Sequence, residues 1–295
     1  MMQSHVTSEE QPGEPHQRYD NEKILLRHFR DIRSSGNVNG ALQWFCAPDS
    51  WQENVTPGVG REGQGGKWYV DKDCSNLTIM APAKKDFWRK TYYEPILVKD
   101  DGPFLYHELD ASQHYTVETT FHLTAARQFD QAGLCVRITP EHWIKTGIEV
   151  VDGVPRLSCV VTNIYSDWST QPWSASPPTM ESSVSAEKSD AVFVRAQIRI
   201  HCRGSSFVVE AKESSKEWEF LRIGHLNRDM RHTNDPLRNH SAVEKSWNGP
   251  SAAEGKLWVG VFACCPVDQQ GSSVTFSNFS IAAGSKFDHN ADDNH

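Results

Sequence analysis

Between Gln131 and Asp167 the chain gathers side chains that could bind or transform a polar ligand: Gln131, Arg137, Trp143, Lys145, Glu149 and Asp167. Sugars are held by an aromatic ring stacked on an apolar face of the ligand, with fork-shaped polar groups on its hydroxyls. Trp143 supplies a ring, Trp88 and Trp168 are further candidates, and the other five residues supply hydrogen bonds. Arg137 and Lys145 together would also suit a carboxylate or phosphate on the ligand. The competing reading of Arg137, Lys145 and Glu149 is an internal ion-pair network that shapes the sheet, since buried charges need partners whatever their purpose.

These residues sit on runs with the period of a strand. Leu134, Val136 and Ile138 share one parity, as do Ile144, Ile148 and Val150 in the next run, the pattern of a sheet with one buried aliphatic face. The site residues fall on the opposite parity, Trp143 among them, whereas core packing is the expectation for most of the ten tryptophans. Asp152-Gly153 signals a two-residue type I′ turn, because both central residues need positive φ. Folding there sets Val151 opposite Val154, Glu149 opposite Arg156, Ile148 opposite Leu157, Thr146 opposite Cys159, Ile144 opposite Val161 and Trp143 opposite Thr162. A one-residue slip would mix the faces, so this hairpin is well specified. In the preceding hairpin, matching the buried faces places Arg137 opposite Lys145, an unfavourable pair of cations unless a carboxylate or a ligand anion lies between them.

Catalytic patterns are sparse. A Glu-x-Asp-x-Glu run, which aims three carboxylates at one sugar from a single strand, is missing. Glu217-Trp218-Glu219 is the nearest echo, and it follows a polar hairpin tip that reads as surface charge. A two-carboxylate site could be assembled from Glu149 with Glu118 or Asp167, making Glu149 the acid/base or nucleophile of a glycosidase. The thirteen histidines show no paired ligand spacing, adjacent Cys264 and Cys265 make a poor tetrahedral pair, and no metal or other cofactor is expected.

The 295 residues, 38% hydrophobic, suffice for a sizeable core. A formal net charge of -8 argues against a nucleic-acid partner. No apolar run reaches membrane-spanning length and residues 1–14 are polar rather than signal-like, so no membrane partner is expected. Seven cysteines without paired spacing fit reduced thiols in the cytoplasm.

Along the chain, residues 1–41 read as an extension that is disordered at first and carries a short amphipathic helix at 21–32, where Leu25, His28, Phe29 and Ile32 fall at helical spacing. The main domain runs over 42–283, and 284–295 read as a disordered tail. The glycine-rich stretch 58–66 lacks the Lys-Ser/Thr ending of a phosphate loop. Strand candidates recur at 67–70, 77–81, 115–123, 133–138, 143–151, 155–164, 192–202, 206–212, 218–223, 257–264 and 273–281. Between them, 170–190 is a Ser/Pro-rich loop and 227–255 a long polar insertion. Many short strands with few helical segments predict an all-β, two-sheet antiparallel sandwich.

The runs Asp130-Gln131-Ala132-Gly133-Leu134, Trp143-Ile144-Lys145-Thr146-Gly147-Ile148-Glu149 and Ser166-Asp167-Trp168-Ser169 resemble the signature of the regulator-of-enolase-like family, a poorly characterised group with many bacterial members. Asp86-Phe87-Trp88-Arg89, Ala263-Cys264-Cys265-Pro266 and Phe276-Ser277-Asn278-Phe279-Ser280-Ile281 match its flanking blocks, so the similarity covers roughly 44–281. The resemblance implies a concanavalin-A-like jelly roll, the fold of legume lectins and many glucanases, and no established reaction. Two departures stand out: Ile138-Thr139 replace the usual Asp after the strand of Arg137, and the insertion at 227–255 lengthens a short connection. The resulting expectation is a cytoplasmic, lectin-like sandwich that binds a saccharide or sugar-phosphate ligand on Gln131, Arg137, Trp143, Lys145, Glu149 and Asp167. A carbohydrate-active enzyme using Glu149 and a scaffold for a protein partner are the alternatives.

Overall fold

A computed structural model describes residues 23–32, 39–50, 67–176, 191–213, 216–227, 255–267, 272–285 and 287. The expectations for residues 1–22, the stretch 58–66, most of the loop 170–190 and nearly all of the insertion 227–255 and the tail lie outside the described residues.

Among the described residues eighteen strands follow in chain order: β1 (Ile24–Arg27), β2 (Leu42–Phe45), β3 (Asp49–Ser50), β4 (Lys67–Val70), β5 (Leu77–Met80), β6 (Phe87–Arg89), β7 (Val98–Asp100), β8 (Phe104–Asp110), β9 (Tyr115–Ala125), β10 (Gln131–Thr139), β11 (His142–Val151), β12 (Val154–Asn163), β13 (Tyr165–Pro172), β14 (Val192–Arg203), β15 (Ser206–Lys212), β16 (Glu219–His225), β17 (Lys256–Cys264) and β18 (Ser273–Ala283). A nine-stranded sheet runs β16-β15-β14-β9-β18-β5-β4-β3, with β1 added against β18. A seven-stranded sheet runs β13-β12-β11-β10-β17-β8-β2, and β6 and β7 form a separate two-stranded ribbon. Among these strands every pairing is antiparallel except β3 with β4. The two large sheets make a concanavalin-A-like jelly-roll sandwich.

Alternation in the sequence becomes layering in space. Leu134, Val136, Ile144, Ile148 and Leu157 of the seven-stranded sheet share one buried cluster with Val117, Phe121, Ile198, Val209 and Phe276 of the nine-stranded sheet. Each such side chain, fully buried, contributes roughly 1.5–3 kcal/mol. The opposite parity of the seven-stranded sheet supplies a second buried cluster, in which Phe87 of the ribbon packs with Cys135, Trp143, Val160, Trp258 and Phe262. This sheet is therefore covered on both faces, on one by its partner sheet and on the other by the ribbon.

The Asp152-Gly153 hairpin has the register that its turn dictates. Val151 faces Val154, Glu149 faces Arg156, Ile148 faces Leu157, Thr146 faces Cys159, Ile144 faces Val161 and Trp143 faces Thr162, and both turn residues have positive φ, 52° and 77°. The β10–β11 hairpin differs from expectation. Arg137 faces Trp143 and Lys145 faces Cys135, with a register irregularity between Arg137 and Thr139. The slip relative to the expected pairing is two residues, which preserves every face while separating the cations.

The helix expected at 21–32 is a strand. Ile24–Arg27 pairs with the closing strand β18, His28 turns the chain at φ 64°, and Leu26, Phe29 and Ile32 enter the main core. An apolar spacing of three is met here by a short strand and a left-handed turn, because pairing with β18 satisfies the backbone and overrides local pattern. The strand expected at 218–223 begins one residue later, at Glu219. β13 carries the chain to Pro172 and so takes in the first three residues of the expected Ser/Pro-rich loop. Among the described residues no helix is long and apolar enough to cross a membrane. All seven cysteines are free thiols.

Candidate functional site

The charged residues of the seven-stranded sheet are answered by carboxylates from the ribbon and its approach. Asp100, at the end of β7, accepts two hydrogen bonds from Arg137 at 2.5 and 2.6 Å. The guanidinium, fully buried, also lies over the rings of Phe45 and Phe87, with centroids at 4.6 and 5.6 Å. Asp86, just before β6, accepts from the Lys145 ammonium at 2.9 Å and from the Gln131 amide at 3.2 Å on the same oxygen. Arg89 of β6 pairs with buried Glu141 at the β10–β11 turn, and its backbone N–H donates to the Ser166 hydroxyl at 2.9 Å. Two buried ion pairs, Arg137–Asp100 and Arg89–Glu141, and the partly buried Lys145–Asp86 thus pin the ribbon and its approach to the sheet, which is the internal-network reading for Arg137.

Beside the ribbon the covering is incomplete, and a cavity of about 220 Å³ opens. Its lining combines Asp86, Lys145 and Glu149 with the rings of Trp88, Tyr93, Phe129 and Trp168; Lys99, Leu97, Val160, Pro266 and Val267 complete it. Glu149 is only 6% exposed. It accepts a hydrogen bond from the Ser158 hydroxyl at 2.7 Å, and the same hydroxyl accepts from the Trp168 indole N–H at 2.9 Å. Cross-strand geometry supports this relay, since β12 lies between β11 and β13. Trp88 is held from its other end, its indole N–H donating to the Thr91 carbonyl at 3.0 Å. The two tryptophan rings meet edge to face at 6.4 Å.

Burial pushes the Glu149 carboxyl up to about 7, against the opposing pull of Lys145 and the Ser158 hydrogen bond. A carboxyl raised that far can hold its proton near neutral pH and then donates a hydrogen bond as well as accepting one. Burial by itself would lower the Lys145 ammonium, but the negative charge of Asp86 and Glu149 outweighs it and holds the ammonium above its ordinary range. The floor of the cavity is therefore a fixed ion pair beside a carboxyl that can exchange its proton. Among the described residues no group of three His, Cys, Asp or Glu is assembled as a metal site.

Of the six residues singled out from the sequence, Lys145 and Glu149 line the cavity. Gln131 lies behind it, holding Asp86 and the Phe129 carbonyl. Arg137 is engaged by Asp100 beneath the ribbon. Trp143 is buried against Phe87 at 6.0 Å, with its indole N–H on the Pro140 carbonyl. Asp167 points away from the cavity: its side chain is 73% exposed and pairs with Arg222 of β16 at 2.9 Å. Asp86, Tyr93, Lys99 and Phe129 were not singled out as site residues. Only the Asp86-Phe87-Trp88-Arg89 block pointed towards them, because no periodicity within β10–β13 signals what the ribbon brings from elsewhere.

Fold and site together define a concanavalin-A-like β-sandwich whose second sheet face is roofed by a charged ribbon that leaves an aromatic-walled cavity at its edge. The chain belongs to the DUF1349 family of proteins of unknown function, whose profile matches residues 65–283. It is 28% identical to Regulation of enolase protein 1 of Saccharomyces cerevisiae over 214 residues, 72% of this chain and 85% of that protein. An uncharacterized protein of Emericella nidulans is 28% identical over 102 residues, 33% of this chain and 50% of that one. Among solved structures, a functionally unknown protein from Saccharomyces cerevisiae superposes with a TM-score of 0.56 at 24% identity, covering 83% of this chain and 97% of that one.

Proposed function

We propose that this protein is a lectin-like sandwich that binds a saccharide or anionic sugar-like ligand in the cavity beside the ribbon, without cleaving it. The observation that carries this reading is the lining: aromatic rings on the walls and an exchangeable carboxyl with a Lys–Asp pair on the floor. Rings suit the apolar faces of a sugar, and the floor suits its hydroxyls or a carboxylate. About 220 Å³ lies below the roughly 300–1,000 Å³ of pockets for drug-sized ligands, which favours a single ring. The name of the yeast relative, which speaks of regulation of enolase, supports a regulatory role in carbohydrate metabolism. The free thiols support a cytoplasmic setting.

A thermal-shift screen of neutral oligosaccharides, uronic acids and sugar phosphates tests the proposal. A ligand at a hundredfold its dissociation constant should stabilise the protein by ~2.7 kcal/mol. That shift should disappear in Lys145→Ala and in Trp168→Ala. Silence across the panel would overturn the saccharide reading and favour a protein partner.

Glu149 favours a second reading, an enzyme acting on a carbohydrate. A carboxyl raised to about 7 next to a second carboxylate, Asp86, has the disposition of a general acid. Release of reducing sugar by the wild type and its loss in Glu149→Gln would support this reading. Full turnover by Glu149→Gln would remove Glu149 from that role.

A further inference from the structure

The aromatic lining does not stop at the cavity. Phe129, Trp168, Trp88, Tyr93 and Tyr92 form one continuous series, each ring meeting the next edge to face at 6.2, 6.4, 5.7 and 5.4 Å. The series begins in the cavity wall and ends outside it, at the tip of the turn that joins β6 to β7. Tyr92 at that end is 89% exposed and adopts φ 76°. A bulky aromatic residue rarely takes positive φ, and here the Tyr93 N–H donating to the Thr91 carbonyl at 3.0 Å closes the turn around Tyr92. Its ring is not held by core packing and meets only the edge of Tyr93 among the described aromatic side chains. Ile96 on the same turn is half exposed as well, so the tip offers water an apolar ledge beside the cavity mouth.

We propose that Tyr92, continuing the aromatic series from Tyr93 in the cavity wall, forms an outer subsite that receives the sugar units following the one held in the cavity, so that the ligand is an oligosaccharide bound by its end. This inference rests on the saccharide reading of the cavity and adds chain length to it. The cavity has room for one ring, and the ledge continues from its wall without a break, presenting ring faces and edges on which further units could stack. Each stacked unit should tighten binding roughly two- to tenfold.

The test is a calorimetric titration of cello-, xylo-, manno- and malto-oligosaccharides from one to five units, with wild type, Tyr92→Ala and Tyr92→Phe. Tyr92 is exposed, so both variants should fold, and equal melting temperatures check this. The expected result is affinity that rises by about tenfold between one and three units in one of the series. Tyr92→Ala should lose that gain and keep the affinity for the monosaccharide, and Tyr92→Phe should keep both. A monosaccharide bound as tightly as its trimer, or a length-dependent gain that survives in Tyr92→Ala, overturns the outer subsite and leaves the cavity reading standing. Failure of every one of these neutral sugars at every length overturns the outer subsite, and the uronic acids and sugar phosphates of the thermal-shift panel then decide the cavity reading separately.

Discussion

Lys145 and Asp86 lie 59 positions apart and meet at 2.9 Å across the boundary between the seven-stranded sheet and the ribbon. The ammonium comes from the face of the sheet that the sequence pattern leaves polar, and the carboxylate arrives with a segment that belongs to neither large sheet. The contact closes one edge of the ribbon and at the same time forms the floor of the cavity. On the cavity reading stability and ligand binding would share this one ion pair, whereas Arg137 and Asp100 serve the ribbon alone.

Removing the Asp100 carboxylate should destabilise the protein strongly. Asp100→Ala would leave the fully buried Arg137 guanidinium without its bidentate partner, a change that costs about 3–5 kcal/mol. Urea unfolding of Asp100→Ala, compared with the double variant Arg137→Met/Asp100→Leu, checks this. The double variant should recover much of the loss, because it removes the stranded charge together with its desolvation.

Glu149 should give stability a dependence on pH opposite in sign to that of most carboxylates. Its folded value, about 7, lies above the ordinary 4.5, so between these values the folded state holds the proton and the unfolded state does not. Stability is therefore greatest below pH 4.5 as far as this group is concerned, and falls as pH rises to about 7, by an amount on the order of a few kcal/mol. Urea midpoints measured from pH 4.5 to 8 should show this fall in the wild type. In Glu149→Gln the same fall should be absent, and an unchanged profile would show that Glu149 does not hold its proton.

Gly133 and Gly147 face each other across β10 and β11. A Cβ built on Gly147 would lie 1.9 Å from the Ala132 carbonyl oxygen, and one on Gly133 would lie 2.0 Å from that of Thr146. Neither obstacle is a flexible side chain, so the strands themselves would have to part. Gly147→Ala should cost about 1–3 kcal/mol or more, read as a lowered urea midpoint. Thr146→Ser on the same strand keeps the hydroxyl that donates to Ser158 and should cost less.

Much of the sandwich was legible because its signals are local. The Asp152-Gly153 turn and the parity of β11 and β12 set a register that agrees pair by pair with the structure. The β10–β11 hairpin was not legible to the residue, since its irregularity after Arg137 carries no composition signal. Strand β1 carries a helix-like signature in the sequence, because Leu25, Phe29 and Ile32 fall at helical spacing and only the pairing with β18 decides for a strand. For the site, parity separated the polar face from the core but could not tell which polar residues the ribbon would cover. Arg137 and Trp143 lie under it and Lys145 and Glu149 at its edge, a division decided by residues 86–100. Asp167 shares a strand with Trp168, and alternation sends the two to opposite faces.

The pairing of Asp167 with Arg222 makes a clean negative control. This exposed contact at the edge of the sandwich should contribute little, as surface ion pairs do. Asp167→Asn should leave both melting temperature and ligand affinity near wild type, whereas Trp168→Ala, one residue away, should abolish binding. Equal losses in the two variants would place the ligand on the other side of β13.

The most direct measurement is a crystal structure of the protein with the sugar that gives the largest thermal shift. The cavity reading predicts a sugar ring against Trp88 and Trp168, with a hydroxyl or carboxylate within hydrogen-bond distance of Glu149 and Lys145. A sugar ordered elsewhere on the molecule, with the cavity free of it, would contradict the reading.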